Sequence, residues 1–254
     1  MTDALIGHTG FVGSALRRVR DFDACYRSTD IDTIRGRTFD TVICCGAPAE
    51  KWKANRDPEG DRARITTLTD ALTTIRATRF VLVSTVDVYP EPEGVDETSM
   101  IDPSTCHAYG RHRYALEQFC LDRFDTVVIR LPGLYGHGLK KNAIFDLLHE
   151  HSVEAIPGNA RFQFYDIDRL WDDLQRVMAA RLAVVNVTAE PVEMNAVAAR
   201  VFGRSLPREF VVGAPSYDIR SVHAGLVGGR DGYWFDVEQE IAGLQTFVSE
   251  ERAR

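Results

Sequence analysis

Asp3-Ala4-Leu5-Ile6-Gly7-His8-Thr9-Gly10-Phe11-Val12-Gly13 is the stretch on which the fold turns. Asp3–Ile6 reads as a short buried strand, and a helix follows the glycines through about Arg20. In a strand–turn–helix frame the glycines have separate tasks. Gly7 permits the tight turn, Gly10 lets the backbone approach a pyrophosphate, and Gly13 lets helix and strand pack closely. With Phe11 and Val12, the helix N-terminus then offers amide donors and the positive end of its dipole. The spacing is GxxGxxG. The plainer alternative is a turn that holds no ligand.

Outward from this turn, short apolar runs alternate with helical patterns, the signature of a parallel sheet. Ala24–Arg27 is a second strand. Thr41–Cys45 is a third, closed by Gly46-Ala47-Pro48. From Pro58 onward Ile65, Leu68, Leu72 and Ile75 recur at helical spacing, which predicts a long crossover helix. Phe80–Ser84 is a fourth strand, and a Pro-rich loop (Tyr89–Pro103) leads to a helix over about Thr105–Arg123. Thr126–Leu131 is the next strand. Beyond Gly133, helices near Ile144–Glu150, Arg169–Arg181 and Val192–Phe202 surround a strand at Ala183–Val187, and a last helix runs Val237–Val248. The expectation is one α/β domain, a Rossmann-like doubly wound parallel sheet. Residues 1–132 form its cofactor part and 133–254 a small substrate-binding subdomain at the carboxyl ends of the strands, where open sheets bind ligands.

Composition narrows the function classes. The chain has 254 residues, 30 Lys and Arg against 37 Asp and Glu, and a formal charge of -7, which argues against a nucleic-acid partner. No run approaches the roughly 18 apolar residues of a membrane helix. A strand and glycine turn occupy the start, where a secretory leader would stand. Five cysteines without a CxxC pair read as reduced, buried thiols in a cytoplasmic protein, with no metal site.

The chemistry centres on Thr85, Tyr109 and Arg113. Tyr109 and Arg113 are four apart on one helix, so they share a face. A tyrosine of pKa near ~10 is a poor base at neutral pH. A cation about 4 Å away is worth roughly 4 kcal/mol at an effective dielectric of about 20, which predicts a drop of roughly three units. Tyr109 can then exchange a proton with a substrate hydroxyl, while Thr85 holds the same oxygen. The plainer alternative for Arg113 is a surface partner for Glu117. His112 reads as a solvated residue.

The chain resembles the extended short-chain dehydrogenases, among them nucleotide-sugar epimerases, dehydratases and 4-keto-reductases, over most of its length. The resemblance rests on the glycine turn, on Val83-Ser84-Thr85-Val86-Asp87-Val88-Tyr89, on Tyr109-Gly110-Arg111-His112-Arg113 and on Arg130-Leu131-Pro132-Gly133-Leu134-Tyr135-Gly136. Val187-Thr188-Ala189-Glu190-Pro191-Val192 is similar to the family's later strand–helix junction. Family members carry a Ser/Thr at the end of the fourth strand and a Tyr-x-x-x-Lys pair. Thr85 and Tyr109 match, and Arg113 stands where lysine is expected. The resemblance implies an NAD(P) cofactor, with Ala47 and Pro48 lining its cleft, Pro132 against the nicotinamide, and Arg113 near the ribose. It also implies a homodimer formed through the helices over Pro58–Ile75 and Tyr109–Arg123.

Cofactor choice turns on the end of the second strand, where an acidic residue selects NAD and an arginine accommodates the 2′-phosphate of NADP. Arg27 stands 20 positions after Gly7 and Asp30 stands 23 after it; placement favours Arg27, hence NADP. On the substrate side, Lys140, Lys141, Asn142 and Arg161 are candidates for a diphosphate, together with Thr85 at the reacting oxygen. Sugar-nucleotide enzymes of this family often carry Asn where this chain has Gly133. Trp52 and Trp171 are candidates for the cleft or for the core. The leading expectation is an oxidoreductase of a hydroxyl or keto carbon on a nucleotide sugar. A reductase of a small non-nucleotide carbonyl and a non-catalytic NAD(P)-binding regulator are the alternatives.

Overall fold

The structure is a computed structural model that describes residues 2–254. The chain packs as two compact units. One comprises the described residues up to Pro90, with Met100–Arg130 and Leu170–Val185; the other comprises Glu91–Ser99, Leu131–Arg169 and Asn186–Arg254. The segment 170–185, expected in the substrate part, thus belongs with the glycine turn.

The first unit holds β1 (Asp3–Ile6), α1 (Phe11–Val19), β2 (Ala24–Tyr26), β3 (Thr38–Cys44), α2 (Lys51–Arg56), α3 (Pro58–Leu72) and β4 (Arg76–Thr85). After β5 (Glu93–Val95) of the second unit come α4 (Ala108–Arg123) and β6 (Thr126–Leu131). The second unit continues with β7 (Gly133–Tyr135), α5 (Ala143–Leu148), β8 (Arg161–Phe162) and β9 (Phe164–Asp166). The chain then returns through α6 (Leu170–Ala179) and β10 (Val184–Asn186). It ends with β11 (Val192–Glu193), α7 (Met194–Phe202), β12 (Asp218–Ile219) and α8 (Val237–Arg252).

Six strands form one parallel sheet in the order β10-β6-β4-β3-β1-β2. All six residues of β6 are buried, as are Ala4, Leu5 and Ile6 of β1, which is what a sheet covered on both faces requires. Ala4, Ile6, Val42, Cys44, Phe80 and Leu82 share one cluster with Ile65, Leu68 and Leu72 of α3 and Leu116 of α4. By the two-residue period, Leu5, Ile43 and Val81 point to the other face. β1 lies between β2 and β3, paired in parallel with both. The chain therefore reverses its winding there and opens a crevice at the strand ends. Between β2 and β3 only a 3₁₀ turn over Ile31–Ile34 spans the sheet, its two isoleucines buried in the same cluster.

Local signals explain the helix starts. Asp57 caps α3 through the Gly60 amide at 3.0 Å, Pro58 takes the first position, and Glu59 and Asp61 stand in the first turn. His107 caps α4 through the Gly110 amide at 3.0 Å. In the second unit Asp236 and Gln239 form a capping box at α8. That unit has its own core, with Tyr135, Ile144, Leu147, Phe164, Val197 and Leu244 among its members. Paired short strands tie it together: β7 with β9, β8 with β11 and β5 with β12. Among the described residues no helix is long and apolar enough to cross a membrane. The cysteines are free thiols; Cys44, Cys106 and Cys120 are buried, whereas Cys25 and Cys45 are only partly so.

Candidate active site

The glycine turn forms a cradle by close backbone approach. Gly7 has φ +85°, and a Cβ on it would lie 2.4 Å from the Cys45 carbonyl oxygen at the end of β3. A Cβ on Gly13 would lie 2.3 Å from the Gly7 oxygen. Both glycines are therefore required by space, and Gly7 also by backbone angle. Gly10 is the N-cap of α1 and brings no side chain to its first-turn amides. Those amides, with the helix dipole behind them, suit an anion. Phe11 and Val12 are half-buried at the start of α1. The Arg27 amide donates to Asp30 Oδ1 at 2.7 Å, and its guanidinium lies 3.5 Å from Asp30 Oδ2. The two rival cofactor-selecting residues thus share one exposed turn just past β2.

Thr85 ends β4, and its side chain lowers the proton affinity of the Tyr109 hydroxyl on α4, against the rise that burial causes. Thr85 Oγ1 accepts the Asp87 amide at 3.1 Å, so its own O–H is left as a donor. Arg113 differs from expectation. Its guanidinium grips Asp61 of α3 with both terminal nitrogens, Nη2 at 3.0 Å from Oδ1, and Nη2 also donates to the Pro48 carbonyl. It is 2% exposed and Asp61 0%. Its charge sits over the Tyr109 ring face, 4.0 Å from the centroid. Burial pushes the Tyr109 hydroxyl above the ordinary tyrosine value, outweighing the pull of Arg113, Thr85 and Lys51, while Asp87 adds to the rise. The expected three-unit drop counted the cation but not the loss of water around the phenol.

Two other side chains depart from expectation. Glu117 does not pair with Arg113; it is buried and holds Arg130 of β6, Oε2 to Nη2 at 2.6 Å, with Ser84 on its other oxygen. His112 is not solvated; its Nδ1 lies 2.8 Å from Asp61 Oδ2, so Asp61 gathers two basic partners from α4. Burial pushes the Asp61 carboxyl up, but the hydrogen bonds and charges of Arg113 and His112 hold it below its ordinary value.

The structure also brings in residues that the sequence reading passed over. Lys51 of α2 places its ammonium 2.6 Å from Asp87 Oδ1. One turn along the same helix, Asn55 Oδ1 accepts the Tyr109 amide at 3.0 Å. A Cβ on Gly110 would lie 2.1 Å from the Asp87 carbonyl oxygen, so the start of α4 is pressed against the turn after Thr85. The only signal in sequence was the four-residue spacing of Lys51 and Asn55, on a helix too short and polar to announce itself. Trp52 on that helix is 61% exposed, and Trp171 lies under the Arg20 guanidinium at 4.6 Å.

The remaining candidates belong to the second unit. Asn142 caps the short α5, Oδ1 accepting the Phe145 amide at 3.0 Å and Nδ2 donating to the Leu134 carbonyl at 2.7 Å. Lys140, Lys141 and Arg161 are exposed, and Pro132 is half-buried. Gly133 has a physical reason: a Cβ there would lie 3.0 Å from both the Gln163 carbonyl oxygen and a Phe164 ring carbon, where β7 pairs with β9.

No curated protein matches the sequence, but solved structures share its fold. MoeE5 in complex with UDP-glucuronic acid and NAD is similar in fold, with TM-score 0.74, 18% identity and coverage of 100% of this chain and 99% of that one. RMD from Pseudomonas aeruginosa complexed with NADPH gives TM-score 0.72 at 17% identity, covering 99% and 100%. A dTDP-4-dehydrorhamnose reductase from Clostridium acetobutylicum gives 0.73 at 14% identity, again covering 99% and 100%. The NAD dependent epimerase/dehydratase family matches residues 17–168, more than half of the sequence, and the chain belongs to that family.

Proposed function

We propose that this protein is an NAD(P)-dependent oxidoreductase acting on a hydroxyl or keto carbon of a nucleotide sugar. The observation that carries the reading is the close approach of the turn after Thr85, at the end of β4, to the start of α4, where Tyr109 stands. When bound, the cofactor supplies hydride acceptance and donation. Gly7, Gly10, Phe11, Val12 and Gly13 would hold its pyrophosphate, with Ala47 and Pro48 beside it and Pro132 against its nicotinamide. The cradle that a Cβ would fill at Gly7 and Gly13 supports this fit. Arg27, half-exposed and only loosely paired, supports a preference for NADP. Thr85 orients the substrate oxygen, and Tyr109 exchanges its proton with that oxygen. Arg113 holds the tyrosine ring from behind and fixes the Pro48 carbonyl. Lys140, Lys141, Asn142 and Arg161 are the proposed contacts to the diphosphate.

Gly133 favours a second reading, reduction of a small non-nucleotide carbonyl. An asparagine there would crowd the Gln163 carbonyl and the Phe164 ring, which supports a diphosphate contact replaced or lacking in this chain. In solution the proposed assembly is a homodimer through α3 and α4, which light scattering checks, and five free thiols suit a reducing compartment such as the cytoplasm.

Titration with NADH and NADPH, then with UDP- and dTDP-sugars, tests the reading. The expected outcome is tighter NADPH binding, and a change in reduced-nicotinamide absorbance on adding the sugar. Tyr109→Phe should abolish that change by about 10²-fold or more in rate while leaving cofactor affinity nearly intact. A protein that binds neither cofactor would falsify the proposal.

A further inference from the structure

Burial holds the proton on Tyr109, so a proton-exchanging tyrosine here needs a cation that can approach its oxygen. Arg113 already lowers the proton affinity of the Tyr109 hydroxyl more than any other cation, but it is held in place. It is clamped by Asp61 and the Pro48 carbonyl, and its charge faces the ring rather than the hydroxyl. We propose that Lys51, anchored by Asp87 on the turn that follows Thr85, is a positioning residue whose ammonium lowers the proton affinity of Tyr109 in addition to Arg113. The inference rests on the reading of Tyr109 as the proton-exchanging group.

Three observations converge on it. Lys51 and Asn55 lie one turn apart on α2, and Asn55 fastens that face of α2 to the Tyr109 amide at 3.0 Å. Asp87 holds the Lys51 ammonium at 2.6 Å while its own amide bonds the Thr85 hydroxyl oxygen at 3.1 Å. The Asp87 carbonyl oxygen meets the Cα of Gly110, the residue after Tyr109, at a distance that excludes a side chain. Lysine, threonine, aspartate and tyrosine therefore form one corner, built from α2, the end of β4 and the start of α4. Lysine suits the task. Its ammonium is a compact charge with three donors on a flexible stem, and the Lys51 side chain is 39% exposed, so it can swing between Asp87 and the phenol oxygen. The groups that act on that hydroxyl are Arg113 of α4, Asp87 and Thr85 after β4, and Lys51 from α2; His107, the cap of α4, has its ring centroid 6.3 Å from that of Tyr109, and Asp61 of α3 holds Arg113. The Lys51 charge lowers the proton affinity of Tyr109, by attraction to its phenolate, and of His107, by repulsion of its protonated ring.

The test is carbon-13 NMR titration of ring-labelled tyrosine in the cofactor-free full chain, with the Tyr109 resonance assigned from Tyr109→Phe. Lys51→Met should raise the Tyr109 midpoint by about one pH unit or more, and Lys51→Arg, which keeps its charge at high pH, should hold it near the parent value. Circular dichroism of each variant guards against unfolding. A midpoint in Lys51→Met equal to the parent's overturns the inference, even in a protein that binds NADPH and turns over. Failure to bind either nicotinamide cofactor instead overturns the functional reading, and the titration still reports whether Lys51 acts on Tyr109.

Discussion

At the residue scale, the departure of Arg113 from lysine is resolved by what it touches. Lysine offers a point charge, whereas the guanidinium fork matches a carboxylate with two parallel bonds, and here it meets Asp61 that way. Arg113→Met should therefore act first on stability. It leaves a buried carboxylate with only His112, and breaking such a pair costs about 3–5 kcal/mol. The pH dependence has a definite sign. Asp61 has a folded pKa below its unfolded value near ~3.9, so its contribution is present above that pH and lost as pH falls through the folded value. Urea unfolding at pH 7 should show the full gap between parent and Arg113→Met, narrowing only below the unfolded carboxylate value, by about pH 2.5. An equal gap at both pH values would show that the pair is not its source. The pairing was unreadable in sequence because Asp61 lies 52 positions from Arg113.

At the element scale, the site depends on how closely α4 presses on the turn after β4. The helix from Pro58 and the helix ending at Arg123 were legible from periodicity and composition, and the structure forms both. Their faces were not legible, since α4 buries Tyr109, His112, Arg113 and Glu117 beside Leu116 and Cys120, and a polar inner face defeats an apolar-stripe reading. Gly110 marks the contact. Gly110→Ala sets a methyl 2.1 Å from the Asp87 oxygen, a backbone atom that cannot turn aside. Overpacking of this kind costs about 1–3 kcal/mol. A shift of about 1 Å between Tyr109 and Thr85 should lower turnover roughly 10²-fold. Ala115→Gly, on the exposed side of the same helix, costs about 1 kcal/mol by propensity alone and should spare turnover. Equal activity in the two variants would show that the close approach at Gly110 is not functional.

At the scale of the whole molecule, each unit carries its own core, and each buries charge inside it. In the second unit Glu240 of α8 is 3% exposed, with Oε1 accepting the Phe164 amide at 3.0 Å and Oε2 without a partner. Burial pushes this carboxyl well above its ordinary value. The native state then binds the proton more tightly than the unfolded chain, so this group's stabilisation is full below about pH 4.3 and falls as pH rises toward the folded pKa. Glu240→Gln keeps the shape and removes the charge. It should raise the melting temperature at pH 8 and change it little at pH 5, the gain being roughly 1–2 kcal/mol; a gain independent of pH would count against a buried ionising group. The strand–turn–helix around Gly7 and the order of the six sheet strands were legible in sequence alone, because period, glycine spacing and turn chemistry are local. Only the tertiary structure decided which carboxylate takes Arg113, that Lys51 pairs with Asp87, and that residues 170–185 return to the first unit. Those facts depend on groups that the fold brings together from tens of positions apart, and on burial, which changes a charge's worth and which no local pattern records.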